Sequence, residues 1–272
     1  MDFVNVQGER VPVIGLGTWQ LQGQECRAAV EQALDVGYRH VDTAQMYGNE
    51  DEIGTVLRST PVDRGDLWVT TKLANDNHAH DDVIESTEES LRRLGTDFVD
   101  LLLIHWPVEF ESIGETLDAM LRLRDDGRIR HLGVSNFPPS LFDKSAEQAP
   151  LFCNQVEYHP FLSQRKVIEA ARRHEAMVTA YSPLARGEVF SDETVLDEIA
   201  EAKGKTAAQV ALRWLIDQDN VSAVPKSTSR DHIQANIDIF DFALSEDERA
   251  RIGGLERGER IIDPPFAPDW ED

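Results

Sequence analysis

The sequence predicts an α/β fold, specifically a (β/α)8 (TIM) barrel preceded by a short N-terminal β-hairpin. Three observations carry this. Apolar strand-like runs alternate with amphipathic stretches of helical period along the whole chain, and eight such repeats can be counted. The rival, a doubly wound dinucleotide fold, needs GxGxxG after its first strand. Gly15-Leu16-Gly17-Thr18-Trp19-Gln20 lacks the third glycine and puts Trp19 where a phosphate needs clearance. Finally, the 272 residues contain no linker or low-complexity run, so residues 1–272 read as a single barrel domain.

The hairpin comes first, Phe3–Val6 and Glu9–Val11, turning at Gln7-Gly8. The barrel strands read Val13–Gly15, His40–Asp42, Leu67–Thr71, Phe98–Ile104, Ile129–Val134, Cys153–Glu157, Met177–Tyr181 and Ser222–Val224. Between them, Gln24–Val36 gathers Ala29, Val30, Ala33 and Leu34 on one helical face, and Asp82–Leu94 gathers Val83, Ile84, Leu91 and Leu94. Gln164–His174 and Thr206–Ile216 behave likewise. Ser245 followed by Glu248 is a capping box that opens a last helix, stopped at Gly253-Gly254.

Composition narrows the function. Fifty acids oppose 27 bases for a net charge of -23, which would repel nucleic acid and an acidic membrane surface. Only six of those bases are lysine, and the acids are scattered, a pattern that fits a salt-adapted, halophilic source. The longest apolar stretch, Phe98–Trp106, is too short to span a bilayer. The N-terminus has no signal-peptide pattern, and Cys26 and Cys153 have no metal-ligand spacing. A reduced, cytoplasmic setting and a monomer are the expectations.

Catalytic groups of a (β/α)8 barrel sit at the C-terminal ends of its strands. Asp42 ends the second strand, with Tyr47 five residues on. Lys72 ends the third, and His105 the fourth. Singly, each has an ordinary structural reading, His105 as a satisfied core histidine or Lys72–Asp42 as a buried ion pair. Together they suit carbonyl reduction. A tyrosine is a poor acid near neutrality, and an adjacent ammonium favours its phenolate. An aspartate keeps that ammonium charged and oriented. A neutral histidine can hold the carbonyl oxygen beside the phenol, while a nicotinamide cofactor supplies hydride.

The motifs GLGTW (15–19), DTAQMYGNE (42–50), TKL (71–73), LLLIHWP (101–107), GVSNF (133–137), CNQVEYHP (153–160), AYSPLARG (180–187) and VPKST (224–228) fall on eight strand ends in order. In this the chain resembles the aldo-keto reductase family, most nearly its shorter prokaryotic 2,5-diketo-D-gluconate reductase-like members. The resemblance implies an oxidoreductase using NADP(H), with NAD(H) as a second cofactor and neither flavin nor metal. It implies Asp42, Tyr47, Lys72 and His105 as the catalytic tetrad. It places Gly17 and Thr18 among the cofactor contacts, Ser135, Asn136 and Gln155 on the nicotinamide carboxamide, Tyr181 stacked on its ring, and Ser182 and Leu184 over the pyrophosphate. Lys226, Ser227 and Thr228 fall around the 2′-phosphate, with His232 and Asn236 near the adenine. Trp19, Tyr47, His105 and Trp106 line the pocket for a small carbonyl substrate, with Trp270 as a further candidate.

Departures from the family pattern shape further expectations. A frequent arginine beside the adenosine is His232 here, with Arg230 two residues earlier as a substitute, so NADPH selectivity should be modest. A common pocket tryptophan is Ala74, which should widen the mouth. The loop after AYSPLARG is short, so no long belt covers the cofactor. Two other readings compete: a barrel metallohydrolase built on His40/Asp42 and His78/His80, and a low-turnover NADP(H)-binding sensor or structural subunit.

Overall fold

The computed structural model describes residues 2–190 and 194–270. Strands β1 (Phe3–Val6) and β2 (Glu9–Pro12) pair antiparallel as the predicted hairpin, with Gln7 and Gly8 at φ 48° and 86° in its turn. The hairpin buries Val4, Val6 and Val11 in the core. The Gln7 amide donates to the carbonyls of Leu151 and Glu175, which lie just before two barrel strands. The hairpin thus covers the end of the barrel where strands begin and leaves the opposite rim open.

Eight parallel strands follow: β3 (Leu16–Gly17), β4 (His40–Asp42), β5 (Trp68–Leu73), β6 (Val99–Ile104), β7 (Ile129–Ser135), β8 (Cys153–Glu157), β9 (Met177–Tyr181) and β10 (Val221–Ala223). Each pairs with its neighbour in chain order. The ring closes where the segment before β3 meets β10. Gly15 N donates to Ala223 O, Ala223 N to Val13 O, and Gly17 N to Pro225 O.

The first strand differs from its expected span of Val13–Gly15. Residues 13–15 bond to β10, whereas the ladder to β4 runs through Leu16 and Gly17. Gly17 permits the closure: a Cβ there would lie 2.6 Å from Val224 O. Gly15 has its own reason, since a Cβ would come 2.7 Å from the His40 ring.

Helices α1 (Gly23–Asp35), α2 (Glu50–Ser59), α3 (His80–Leu94), α4 (Ile113–Asp125), α5 (Pro139–Ala146), α6 (Arg165–Arg173), α7 (Thr194–Lys203), α8 (Ala207–Ile216), α9 (Arg230–Ile237) and α10 (Glu246–Gly253) accompany the strands. The apolar stripe of α1 is buried as its spacing requires, through Ala29, Val30, Ala33 and Leu34. Thr206 and Ser245 both form full capping boxes, with Gln209 and Glu248. Thr206 is therefore the cap of α8 and not its first helical residue. Among the described residues no helix is long and apolar enough to cross a membrane.

Candidate active site

At the open rim, the buried Lys72 ammonium contacts three oxygens. Nζ lies 2.5 Å from Asp42 Oδ1, 2.8 Å from Thr43 O and 3.5 Å from Tyr47 Oη. Neighbouring strands set this: Lys72 is the fifth residue of β5, and Asp42 closes the adjacent β4. Tyr47 arrives on a one-turn 3-10 helix, Gln45–Tyr47, that ends at Gly48 with φ 64°. Asn49 anchors that loop. Its Nδ2 donates to Thr18 O and Leu21 O, and its Oδ1 accepts from the Thr43 hydroxyl. Gln22 Nε2 donates to Tyr47 O at 2.7 Å. The phenol position is thus fixed by both the β3 and β4 loops.

His105 follows β6, with its ring edge-on to Tyr47 at 5.7 Å between centroids. Burial, reinforced by the Lys72 charge, holds its pKa well below the ordinary imidazole value, so the ring is neutral near pH 7. Burial alone would depress the Lys72 ammonium, but Asp42 and Tyr47 outweigh it and raise the pKa. For Tyr47 burial prevails: the phenol pKa is raised, with Lys72 opposing. The expectation of a lowered tyrosine therefore holds only for the Lys72 contribution. In the free site the phenol stays protonated.

A second network ties the next strands together. Gln155 Nε2 donates to Asp42 Oδ2 at 2.6 Å. Ser135 Oγ donates to Gln155 O, Asn136 Nδ2 to His105 O, and Tyr181 Oη to Asn136 Oδ1. Asn136 has φ 65°, a left-handed conformation that asparagine tolerates. The side chains expected to hold a carboxamide are thus also braces between the ends of β4, β6, β7, β8 and β9.

These groups open into a cavity of about 820 Å³. Gly17, Thr18, Trp19, Asp42, Tyr47, His105, Trp106, Ser135, Asn136, Gln155, Tyr181, Ser182, Leu184, Lys226, Ser227, His232 and Asn236 all border it, as the sequence indicated. Lys72 lies behind Tyr47 and Asp42 and does not border it. Thr228, next along the chain after Ser227, is exposed and is not among the residues that border the cavity. Trp270 also stands outside, packed against Trp106 at 6.3 Å. Ala74 is not on the wall, since its N–H is folded back onto Gln45. Arg230 lies 3.7 Å from Asp35 and not in the cavity.

Sequence reasoning missed Arg186, Met46, Phe190, Ile262 and Phe266, which also line the cavity. Arg186 was legible within the AYSPLARG motif. Its guanidinium lies 4.6 Å above the Trp19 ring, so this short loop does reach across to β3. The tail residues Ile262 and Phe266 carry no local sequence signal.

The cavity fits a dinucleotide phosphate. Although the chain has 50 acids, Asp42 is the only carboxylate on the wall among the described residues, whereas Arg186, Lys226 and His232 all face it. The start of α8, at Thr206 and Ala208, and that of α9, at His232, also border it, bringing N-terminal helix dipoles to the same half. Among the described residues no three His, Cys, Asp or Glu side chains converge on a possible metal site. This weighs against the metallohydrolase reading: His40 is buried against Gly15, and His78 is engaged with Val108 O.

A (β/α)8 barrel with this rim belongs among the nicotinamide-type carbonyl reductases, and comparison with known proteins agrees. The chain belongs to the Aldo/keto reductase family, whose profile matches residues 13–257. It is 41% identical over 263 residues to an aldo-keto reductase of Mycobacterium sp. (strain KMS), covering 95% of this chain and 94% of that protein. It is 36% identical to the methylglyoxal reductase DkgB of Escherichia coli O157:H7, covering 96% and 99%. Among solved structures, a putative 2,5-diketo-D-gluconic acid reductase B superposes with a TM-score of 0.97 at 43% identity, covering 100% of this chain and 98% of that one. A Bombyx mori aldo-keto reductase in complex with NADP superposes at 0.90 and 33%, covering 98% and 97%.

Proposed function

We propose that this chain, a single barrel domain, reduces aldehydes and small ketones to alcohols with NADPH, using Asp42, Tyr47, Lys72 and His105. The contact that carries the reading is Lys72 Nζ, held by Asp42 while within 3.5 Å of Tyr47 Oη. When bound, the nicotinamide supplies hydride to the carbonyl carbon. Neutral His105 donates to the carbonyl oxygen without adding charge, and so holds it beside Tyr47. The oxygen left after hydride addition is a far stronger base than a phenolate, so proton transfer from Tyr47 Oη runs downhill even with the phenol pKa raised. Lys72 then stabilises the phenolate, and Asp42 keeps the ammonium charged. In oxidation the roles reverse.

Lys226, Ser227, His232, Arg186 and Asn236 support the phosphate-bearing half of the cofactor, and Tyr181 the nicotinamide face. NADH is the weaker alternative. Methylglyoxal and 2,5-diketo-D-gluconate, named in relatives, are substrates to try first. We further propose a cytosolic, monomeric, salt-adapted enzyme. Carbonyl-dependent oxidation of NADPH, followed by absorbance with and without a chelator, tests the reading. Tight NADPH binding without turnover of any aldehyde would turn it into the sensor reading.

A further inference from the structure

The residues after α10 return to the rim, pinned by the last residue of β8 and by the β8–α6 connection. Phe161 O accepts from Arg257 N at 3.2 Å and from Glu259 N at 3.1 Å. The Glu157 carboxylate accepts from Ile261 N on Oε1 and from Ile262 N on Oε2, both at 2.8 Å. Glu157 is fully buried at the end of β8, and His159 Nε2 lies 3.0 Å from its Oε1. A buried carboxylate is costly unless its lone pairs are filled, and charge-assisted bonds to backbone N–H groups are roughly twice as strong as neutral ones. The clamp therefore fixes the register of the tail.

That register matters because Ile262 and Phe266 both line the cavity. Phe266 meets Trp106 edge to face, 5.4 Å between centroids. Two residues before Glu157, on the same face of β8, Gln155 grips Asp42. One strand end thus holds the catalytic carboxylate with one side chain and the pocket wall with the next.

Resting on the assignment of the Tyr47–His105 end as the substrate end, we infer that Glu157 is a specificity-determining positioning residue. By clamping Ile261 and Ile262 it holds an apolar wall of Ile262 and Phe266 against Trp106, and that wall favours carbonyls bearing a flat apolar group over small polar ones. Glu157 itself does not border the cavity, whereas Ile262 and Phe266 do, so its loss should act on KM for the flat substrate more than on cofactor affinity.

The test compares wild type with Glu157→Gln, whose amide cannot accept both N–H bonds. KM for 4-nitrobenzaldehyde should rise about tenfold, with KM for methylglyoxal and the Kd for NADPH changing less than about twofold. Hydrogen exchange at the Ile261 and Ile262 amides should accelerate. Phe266→Ala, at an exposed position that leaves the clamp intact, should reproduce the KM split without faster exchange at those amides. Unchanged exchange in Glu157→Gln, or KM values for both aldehydes moving together in Phe266→Ala, would overturn the inference. Turnover of neither aldehyde by the wild-type chain would overturn the reductase reading and the selectivity with it, while the exchange measurement would still report the clamp.

Discussion

Gln155 and Lys72 grip opposite oxygens of the Asp42 carboxylate, Gln155 at 2.6 Å on Oδ2 and Lys72 at 2.5 Å on Oδ1. Gln155 stands on β8 and Asp42 on β4, so the bond crosses the barrel interior and braces the tetrad from the far wall. The carboxylate is nearly inaccessible, and filling both of its oxygens offsets the desolvation of a buried charge.

That arrangement predicts unequal effects of removing each member. Lys72→Met takes away the charge that stabilises the phenolate, and should lower kcat by at least ~10²-fold, with NADPH affinity nearly unchanged. Asp42→Asn keeps a carbonyl oxygen for Lys72 but presents an amide donor or a misplaced oxygen to Gln155. Its loss should be smaller, about tenfold. Single-turnover rates and NADPH fluorescence titration measure the two quantities. A normal pH–rate profile in Lys72→Met would show that the ammonium does not tune Tyr47.

Tyr47→Phe removes the hydroxyl and keeps the ring that lies against His105. The Asn49 and Gln22 bonds go to backbone and loop atoms, so the 3-10 turn should persist. The expected loss is at least ~10²-fold in kcat on the scale of general acid catalysis. Turnover near that of wild type would remove Tyr47 from the proton path.

Much of this was legible in the sequence because strand ends in a barrel converge, so motifs ordered along the chain become neighbours on one rim. Cys153–Glu157 and Met177–Tyr181 are strands at the expected residues; the second is a short, largely apolar run, and the first carries Asn154, Gln155 and Glu157. The first strand shifted because its pairing is split between β10 and β4, which no local pattern encodes. Helix α7 is an insertion that the eight-repeat reading does not contain. Ile262 and Phe266 reach the cavity through a clamp on Glu157, a contact across more than a hundred residues.

Acid should destabilise the fold before it titrates the carboxylates. Burial, with Lys72 adding to it and Asp42 opposing, lowers the His40 pKa from 6.5 to about 4. Between those values the unfolded chain binds a proton that the folded chain refuses. The contribution is fully present above pH 6.5, declines as pH falls, and is gone below about 4; at one pKa unit per ~1.4 kcal/mol it amounts to about 3 kcal/mol. His105 titrates in the same direction. Urea unfolding from pH 7 to 4 should therefore show falling stability, with a shallower slope in His40→Gln. Equal slopes in both proteins would contradict the assignment.

Salt should stabilise the fold. A net charge of -23 repels itself at low ionic strength, and the Debye length shrinks to about 3 Å in molar salt. The melting temperature should rise between low and molar sodium chloride. A flat Tm over that range would rule out the salt-adapted reading and leave the catalytic one untouched.

Cofactor choice follows from which cations reach the cavity. Lys226 and His232 border it, whereas Arg230 is turned toward Asp35 and cannot supply a guanidinium without leaving that contact. Arg186 also borders the cavity but lies over the Trp19 ring. In the proposed binding mode the 2′-phosphate then meets the Lys226 ammonium and the His232 imidazole, with no guanidinium beside them. NADPH should be preferred over NADH by about tenfold in kcat/KM, or ~1.4 kcal/mol, and not by several orders of magnitude. His232→Arg adds a planar, permanently charged fork of donors at the start of α9 and should widen the ratio. Lys226→Gly should bring it close to unity. Both measurements are made at fixed ionic strength, because salt screens the phosphate contact. A strict NADPH requirement would mean that Arg230 abandons Asp35 for the phosphate, and a clear NADH preference that Lys226 does not reach it.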